Sequence, residues 1–495
     1  MCPVSWVALA LLGSLLALAA ISIETANEIL THTKDLVVRN FDWAFVGVAT
    51  AALALVALLA VHPRANVRLG AEDSEPEFSR FSWFSMLFSA GLASGLLYWA
   101  AAEPILHFQG NPLLAQAGIT PSTEAAAQTA IRITIFHWGF HGWGMYVLGG
   151  LAISVYAYRH DRPLTIRTAL YPILGDRWID RWPGHTIDLI GLLGTVFGVA
   201  TSIGLAATAL NATMSSLFGV DVALKNQMLI VAFVCALGIA SAVSGVGRGI
   251  RRLSELNVWI SAVLFTSVLV LGPFTELLMG IVTSTLDYLW TFLPLGLWLG
   301  ETEEEIRWQS SWTIFYWGWW LAWMPFVSLF IARISKGRTI REFVLAVMGV
   351  PTAVIIIWMS VFGGTAIHQE LANPGSVTGP VNQDYSLGIV AILDQLAAPG
   401  VSLALTAIAL FLLFTWLVTS LDSATLVICH LIERPDAKTQ QVLWGSILAA
   451  VTASLIWMGG VSALQAASII IGLPLAGVMV LIGAGLLKDL FKGEL

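Results

Sequence analysis

The sequence predicts an all-α integral membrane protein with twelve transmembrane helices, on three observations. Hydrophobic residues make up 57% of the 495 and charged residues only 11%, against about 25% charged in ordinary soluble domains. The apolar runs are about 20 residues or longer, enough to cross a hydrocarbon core of about 30 Å as helix. The basic residues are sorted. With the N-terminus inside, all of the 24 Lys and Arg except Lys34, Arg39, Arg132, Lys225 and Arg307 fall on cytoplasmic segments, as the positive-inside rule requires. Both termini are then cytoplasmic, in a multi-pass protein of the plasma or inner membrane. The net charge of −7 points to no nucleic-acid partner, because basic residues sorted by topology form no single patch. Membrane lipid is the expected surrounding partner.

Taken in order, the first run, 4–22, lacks a basic n-region and reads as a retained membrane helix rather than a signal peptide. The second covers 42–62. The third, 82–107, carries Gly91-Leu92-Ala93-Ser94-Gly95 at its middle; each glycine weakens a helix by about 1 kcal/mol relative to alanine. An unwound stretch there is tolerated in lipid only where it lines a cavity or coordinates an ion or substrate; the other reading is a small-residue packing face. The fourth run, 128–158, is long enough to tilt and holds Trp138, Trp143 and Tyr146. The fifth, sixth and seventh cover 186–217, 225–246 and 255–283. The eighth, 308–333, places Trp312, Trp317, Trp319, Trp320 and Trp323 ahead of Pro325. The ninth is 343–366. The tenth, 398–429, ends in Thr419-Ser420-Leu421-Asp422-Ser423, and the last two are 440–459 and 463–487. Cys2, Cys235 and Cys429 lie in or beside apolar segments with no spacing suited to a metal site or a disulfide framework.

Two patterns carry chemistry. On a continuous helix at about 100° per residue, Trp138, Trp143 and Tyr146 fall at about 0°, 140° and 80°, one broad face. Facing the tryptophans of the eighth run, they form a cage of indole and phenol surfaces, which attract a quaternary ammonium that can accept no hydrogen bond. Rings of an interfacial belt stand at segment ends, whereas these crowd the middles. The second pattern is oxygen-rich. Hydroxyls of Thr419 and Ser420, with backbone carbonyls of Ser89, Leu92 and Trp416, supply five hard ligands for a sodium ion, although hydroxyls in membrane helices more often bond back to their own helix. Asp422 is an intramembrane carboxylate, expensive enough to be a functional or structural hub. Enzyme activity is not expected: Glu103, His137, His141 and Asp422 show no nucleophile–base or metal-ligand spacing. A channel accounts for the glycine break but not for a cage beside a single alkali site.

Five stretches carry a resemblance: Phe136-His137-Trp138-Gly139-Phe140-His141-Gly142-Trp143, Gly194-Thr195-Val196-Phe197-Gly198, Trp312 to Pro325, Arg333 to Glu342, and Thr419 to Ser423. From about residue 75 to residue 435 the chain resembles the betaine/choline/carnitine transporter family. The resemblance implies a LeuT-like fold of two inverted five-helix repeats preceded by two extra helices: 1–80 for the accessory pair and its loop, 81–290 for the first repeat, 291–495 for the second with a short tail. It implies a homotrimer and a secondary active transporter importing an onium solute such as glycine betaine, choline, carnitine or dimethylsulfoniopropionate. The substrate box it implies is Trp138, Trp143, Tyr146, Trp320 and Trp323, flanked by Trp319 and Phe315. The coupling ion is sodium, at Ser89, Leu92, Trp416, Thr419 and Ser420. Sodium-coupled members usually read Gly-Met-Gly-Ile-Gly where this chain has Gly91 to Gly95. A second sodium site looks incomplete, with Val199 one turn after Thr195. Sodium-independent antiporters, the rival reading, place an arginine at Asn257, and its absence favours symport.

Overall fold

The computed structural model describes residues 3–91, 94–244, 247–432 and 437–492. Among them every extended element is a helix, with one isolated antiparallel bridge between Arg68 and Thr339. In chain order the helices are α1 (Pro3–Ile21), α2 (Ile23–Val61), α3 (Arg80–Gly91), α4 (Ser94–Gln109), short α5 (Pro112–Ala117), α6 (Glu124–Trp138), α7 (Phe140–Arg159), α8 (Tyr171–Trp178), α9 (Trp182–Phe218) and α10 (Leu224–Ser244). After them come α11 (Gly247–Leu271), α12 (Phe274–Leu297), α13 (Glu303–Gln309), α14 (Phe315–Ile334), α15 (Ile340–Ala372), α16 (Thr378–Gln383), α17 (Gly388–Asp394), α18 (Pro399–Leu431), α19 (Lys438–Gly459) and α20 (Val461–Lys492).

Ten helical stretches among the described residues are long and apolar enough to cross a membrane unaided. The fourth expected span is divided between two helices, α6 and α7. Residues 92 and 93, at the heart of the expected glycine break, lie outside the described residues. The seventh expected span, 255–283, does not run through. Gly272 and Pro273 end α11 at Leu271, and α12 begins at Phe274. Proline has no N–H for a helical ladder, and a two-residue breaker hardly dents an average over about 19 apolar residues. Helix α12 buries one face, Leu277, Ser284, Tyr288 and Gly296, and leaves Phe274, Met279, Leu286, Trp290 and Leu297 exposed.

Helix α14 packs closely against α7, α9 and α20. Its aromatic run sits so deep because glycines open the neighbouring backbones. Gly318 lies against the backbone of Ile469 and Gly472 against Gly318, so α14 and α20 meet almost backbone to backbone. At one end of the bundle the loop 335–339 clasps the start of α3. The Trp83 indole donates to Ser335 Oγ at 3.0 Å, and the Arg338 guanidinium lies 4.6 Å over the same ring. Arg338 also donates to the Phe78 carbonyl at 2.5 Å, and Leu69 N–H bonds the Arg338 carbonyl at 2.8 Å. Arg341 ties in the end of α2 through the Ala60 and His62 carbonyls.

Candidate functional site

The fourth expected span breaks at Gly139, whose φ of −91° and ψ of −137° depart from helix. A Cβ at Gly139 would collide with the Tyr288 hydroxyl, and that hydroxyl accepts the Phe140 N–H at 2.7 Å. The break is therefore held open by α12, the helix that the apolar pattern conceals. Angles counted along one continuous helix do not apply across it, yet the three rings still converge. Trp138 ends α6 while Trp143 and Tyr146 lie on α7, and all three meet Trp320 of α14. Ring centroids are 6.3 Å apart for Trp138–Trp320, 5.8 Å for Trp143–Trp320 and 4.7 Å for Tyr146–Trp320. Trp138–Trp320 and Trp143–Tyr146 cross at 76° and 87°. The other two wall pairs, Trp143–Trp320 and Tyr146–Trp320, are inclined at 67° and 52°.

Trp320 is fixed by its Nε1–H, which donates to the His137 carbonyl freed at the break, at 2.9 Å. Gly142 is what lets the indole approach α7, since a Cβ there would collide with the Trp320 ring. Trp319 stacks on Phe315 at 5.5 Å and meets Trp138 edge-on at 5.8 Å. A Cβ on Gly95 would lie 2.7 Å from the Trp319 ring and 3.5 Å from Trp138, so the start of α4 abuts the same cluster. Trp323, one turn further along α14, packs on Phe326 and donates to the Gly198 carbonyl at 2.7 Å. The other two tryptophans of the run face away, Trp312 to His107 and Trp99, Trp317 to Phe136 and His141. Exposure separates the groups. Trp138, Tyr146, Trp319, Trp320 and Trp323 keep 6–9% of their surface, whereas Trp143 of the box keeps 1% and Phe315, expected beside the path, keeps none, like Tyr316 and Trp317. Deep inside a bundle, residual accessible surface means that a ring lines a space.

The oxygen-rich set is arranged differently. Thr419 Oγ1 donates to the Thr415 and Trp416 carbonyls at 3.0 and 3.1 Å, along its own unbroken helix α18. Because the hydroxyl acts only as donor in these bonds, its acceptor lone pairs are not used by them. Ser420 is half-buried, Trp416 nearly buried, and α18 packs on α4 and α9. Leu92 and the Ser89 side chain lie outside the described residues. Asp422 accepts Ser241 Oγ of α10 at 2.7 Å, so one carboxylate oxygen joins α18 to α10. Thr195 bonds back to Gly191, and Asn257 accepts the Thr415 hydroxyl at 2.8 Å.

One cluster is not readable from spacing. The Glu103 carboxylate of α4 accepts from His137 Nδ1 at 2.7 Å and from Trp138 Nε1 at 3.0 Å, and it also bonds the Tyr316 hydroxyl. His107 Nε2 lies 3.4 Å away. Spacing among Glu103, His137, His141 and Asp422 shows no such grouping, and the i,i+4 pair of Glu103 and His107 is the part the sequence does carry; Glu103, His107 and His137 offer ligand atoms within 4.8 Å of one another. The partners come from three helices, 34 and 213 residues apart in sequence. The signal that could have flagged it is the cost of a lone carboxylate in the middle of a membrane segment.

A family model described as BCCT, betaine/carnitine/choline family transporter, matches residues 3–494. Among curated relatives, a glycine betaine/proline/choline/ectoine transporter of Vibrio parahaemolyticus is 37% identical, covering 96% of this chain and 84% of its own length. The high-affinity choline transport protein of Escherichia coli K12 is 36% identical over 93% of this chain and 67% of its own. Among solved structures, a Na+-coupled sialic acid symporter in a substrate-bound outward-open state aligns with a TM-score of 0.50 at 13% identity. It covers 89% of this chain and 86% of that one. That likeness concerns the fold, which is the LeuT-like architecture expected from the sequence.

Proposed function

The chain belongs to the betaine/carnitine/choline family of transporters, and from that premise we propose that it imports a quaternary ammonium or related onium solute by alternating access, in symport with sodium. It is a multi-pass membrane transporter and not an enzyme. The observation that carries the substrate class is the convergence of Trp138, Trp143 and Tyr146 on Trp320. Each indole face replaces part of the water shell of a methylated cation that has no proton to donate, and a desolvated contact of this kind is worth about 2 kcal/mol. Trp323, Trp319 and Phe315 extend the aromatic path beside the box. Glycine betaine, choline, carnitine and dimethylsulfoniopropionate all suit such a cage.

The coupling ion in this reading is sodium, held by Thr419 and Ser420 hydroxyls and the carbonyls of Trp416, Ser89 and Leu92. An ion bridging α18 and the α3–α4 junction ties two elements that must separate for the pocket to change sides. Substrate and sodium then favour the same conformer, and linkage makes each raise the affinity of the other. An uncharged Asn257 bonded to Thr415 supports symport, because it leaves no built-in cation to stand in for sodium. The proposal extends to a homotrimer in the bacterial inner membrane with cytoplasmic termini, and to units 1–80, 81–290 and 291–495 as accessory pair and two inverted repeats. The test is radiolabelled uptake of the four solutes into proteoliposomes with and without an imposed sodium gradient. Uptake that ignores sodium but requires internal substrate would replace symport with sodium-independent exchange.

A further inference from the structure

Glu103 is fully buried and lies directly behind the Trp138 wall. Its two oxygens are surrounded by donors: His137 Nδ1–H and, at longer range, His107 Nε2–H on Oε1, with Trp138 Nε1–H and the Tyr316 hydroxyl on Oε2. An ionised carboxylate accepts up to about four hydrogen bonds, and bonds to a charged acceptor are the strong ones. With His137 Nδ1 donating, its Nε2 accepts the Thr313 hydroxyl at 3.1 Å, so that imidazole is satisfied at both nitrogens as the neutral ring. A transition-metal reading of the cluster fails on spacing. Ligands at about 2.0–2.1 Å from a tetrahedral zinc stand about 3.3 Å apart, whereas His137 Nδ1 and Glu103 Oε1 are 2.7 Å apart, a hydrogen bond.

We infer that Glu103 is the positioning residue of the cage: its carboxylate locks the Trp138 indole, and through Tyr316 the facing helix α14, in the orientation that presents the Trp138 ring to the onium. This rests on the aromatic-cage reading above. Trp138 is the last residue of α6, immediately before the break at Gly139, so the helix beyond it does not hold the ring. The polar atom it anchors by is Nε1, and the two acceptors in reach are Glu103 and Tyr316. Tyr316 is itself bound to Glu103, so both anchors end on one side chain. A box wall hung on one carboxylate is preorganised, and the affinity of the cage then depends on a residue that never touches the ligand.

The experiment is a double-mutant cycle in choline uptake and choline-induced tryptophan fluorescence, on reconstituted full-length protein. Glu103→Ala raises the choline KM about tenfold with kcat nearly unchanged, whereas Glu103→Gln, which keeps an acceptor oxygen for the indole, stays within about threefold. In a Trp138→Phe background, which has a ring but no N–H, Glu103→Ala adds less than about twofold. Additive effects, or a kcat loss with KM unchanged, overturn the inference. If Glu103→Ala does not fold, Glu103→Asp, whose shorter side chain withdraws the carboxylate from the indole, runs the same cycle with the same expectations. Trp320→Ala is the separate control. An unchanged KM there overturns the cage itself, while a raised KM with an additive cycle overturns only the role of Glu103.

Discussion

The aromatic box and the hydroxyl-rich end of α18 are the two regions proposed to bear ligands, and they are built in opposite ways. The box is assembled across helices: its four main rings come from α6, α7 and α14, and each indole N–H that is bonded reaches a different segment, Trp320 to His137 and Trp138 to Glu103. The α18 hydroxyl is satisfied within its own helix, Thr419 to Thr415 and Trp416. The first region is held in its binding shape by the fold. The second spends its donor locally and offers only lone pairs, so the sodium ion proposed above would be its cross-helix partner. A preorganised site tunes affinity, while a site completed by its ion links the ion to a conformation.

Four substitutions break or sharpen that contrast. Trp320→Ala, which removes the ring that all three other walls contact, is expected to weaken onium binding roughly thirtyfold while the sodium dependence of uptake stays as it was. A normal choline KM in that variant, with the protein folded, would sink the box. Gly142→Ala pushes a methyl into the same indole, and overpacking of that kind should raise KM about tenfold; retention of wild-type KM would mean that Trp320 need not sit where it does. Thr419→Val removes an oxygen ligand and leaves the helix intact, so the sodium concentration for half-maximal uptake should rise several-fold with little change at saturating sodium. An unaltered sodium curve counts against the α18 site. Asn257→Ala deletes one α11–α18 hydrogen bond and should cost about 1 kcal/mol of stability, seen as a modest fall in Tm with both affinities unchanged. A shift in substrate KM there would show that α11 reaches the box after all.

The helices and the rings of the box were legible because each is written locally: apolar length marks a membrane segment, and aromatic density marks the box. What escaped depends on contacts between distant residues. The break at Gly139 lies between His137 and His141 in a run long enough to read as one span, and it is held by Tyr288, 149 positions later in the chain's numbering, through a bond to Phe140 separated by 148. Helix α12 was merged into its predecessor because Gly272-Pro273 interrupts hydropathy too briefly to register. Glu103 and His137 were each visible as titratable residues in membrane segments, but nothing along the chain brings α4 against α6. The Thr419 hydroxyl is legible as an oxygen in a membrane helix, and its bond back to Thr415 follows the usual habit of such hydroxyls.

The clasp at Trp83 has a mechanical corollary. One indole is gripped from its edge by Ser335 and from its face by Arg338, whose guanidinium also holds the Phe78 carbonyl. Parting α3 from the 335–339 loop would sever these together, a barrier on the order of 3 kcal/mol, so small fluctuations at one bond do not unzip the rest. A rearrangement that keeps this grip carries the head of α3 and the turn ahead of α15 together, with the bending taken up elsewhere along the chain.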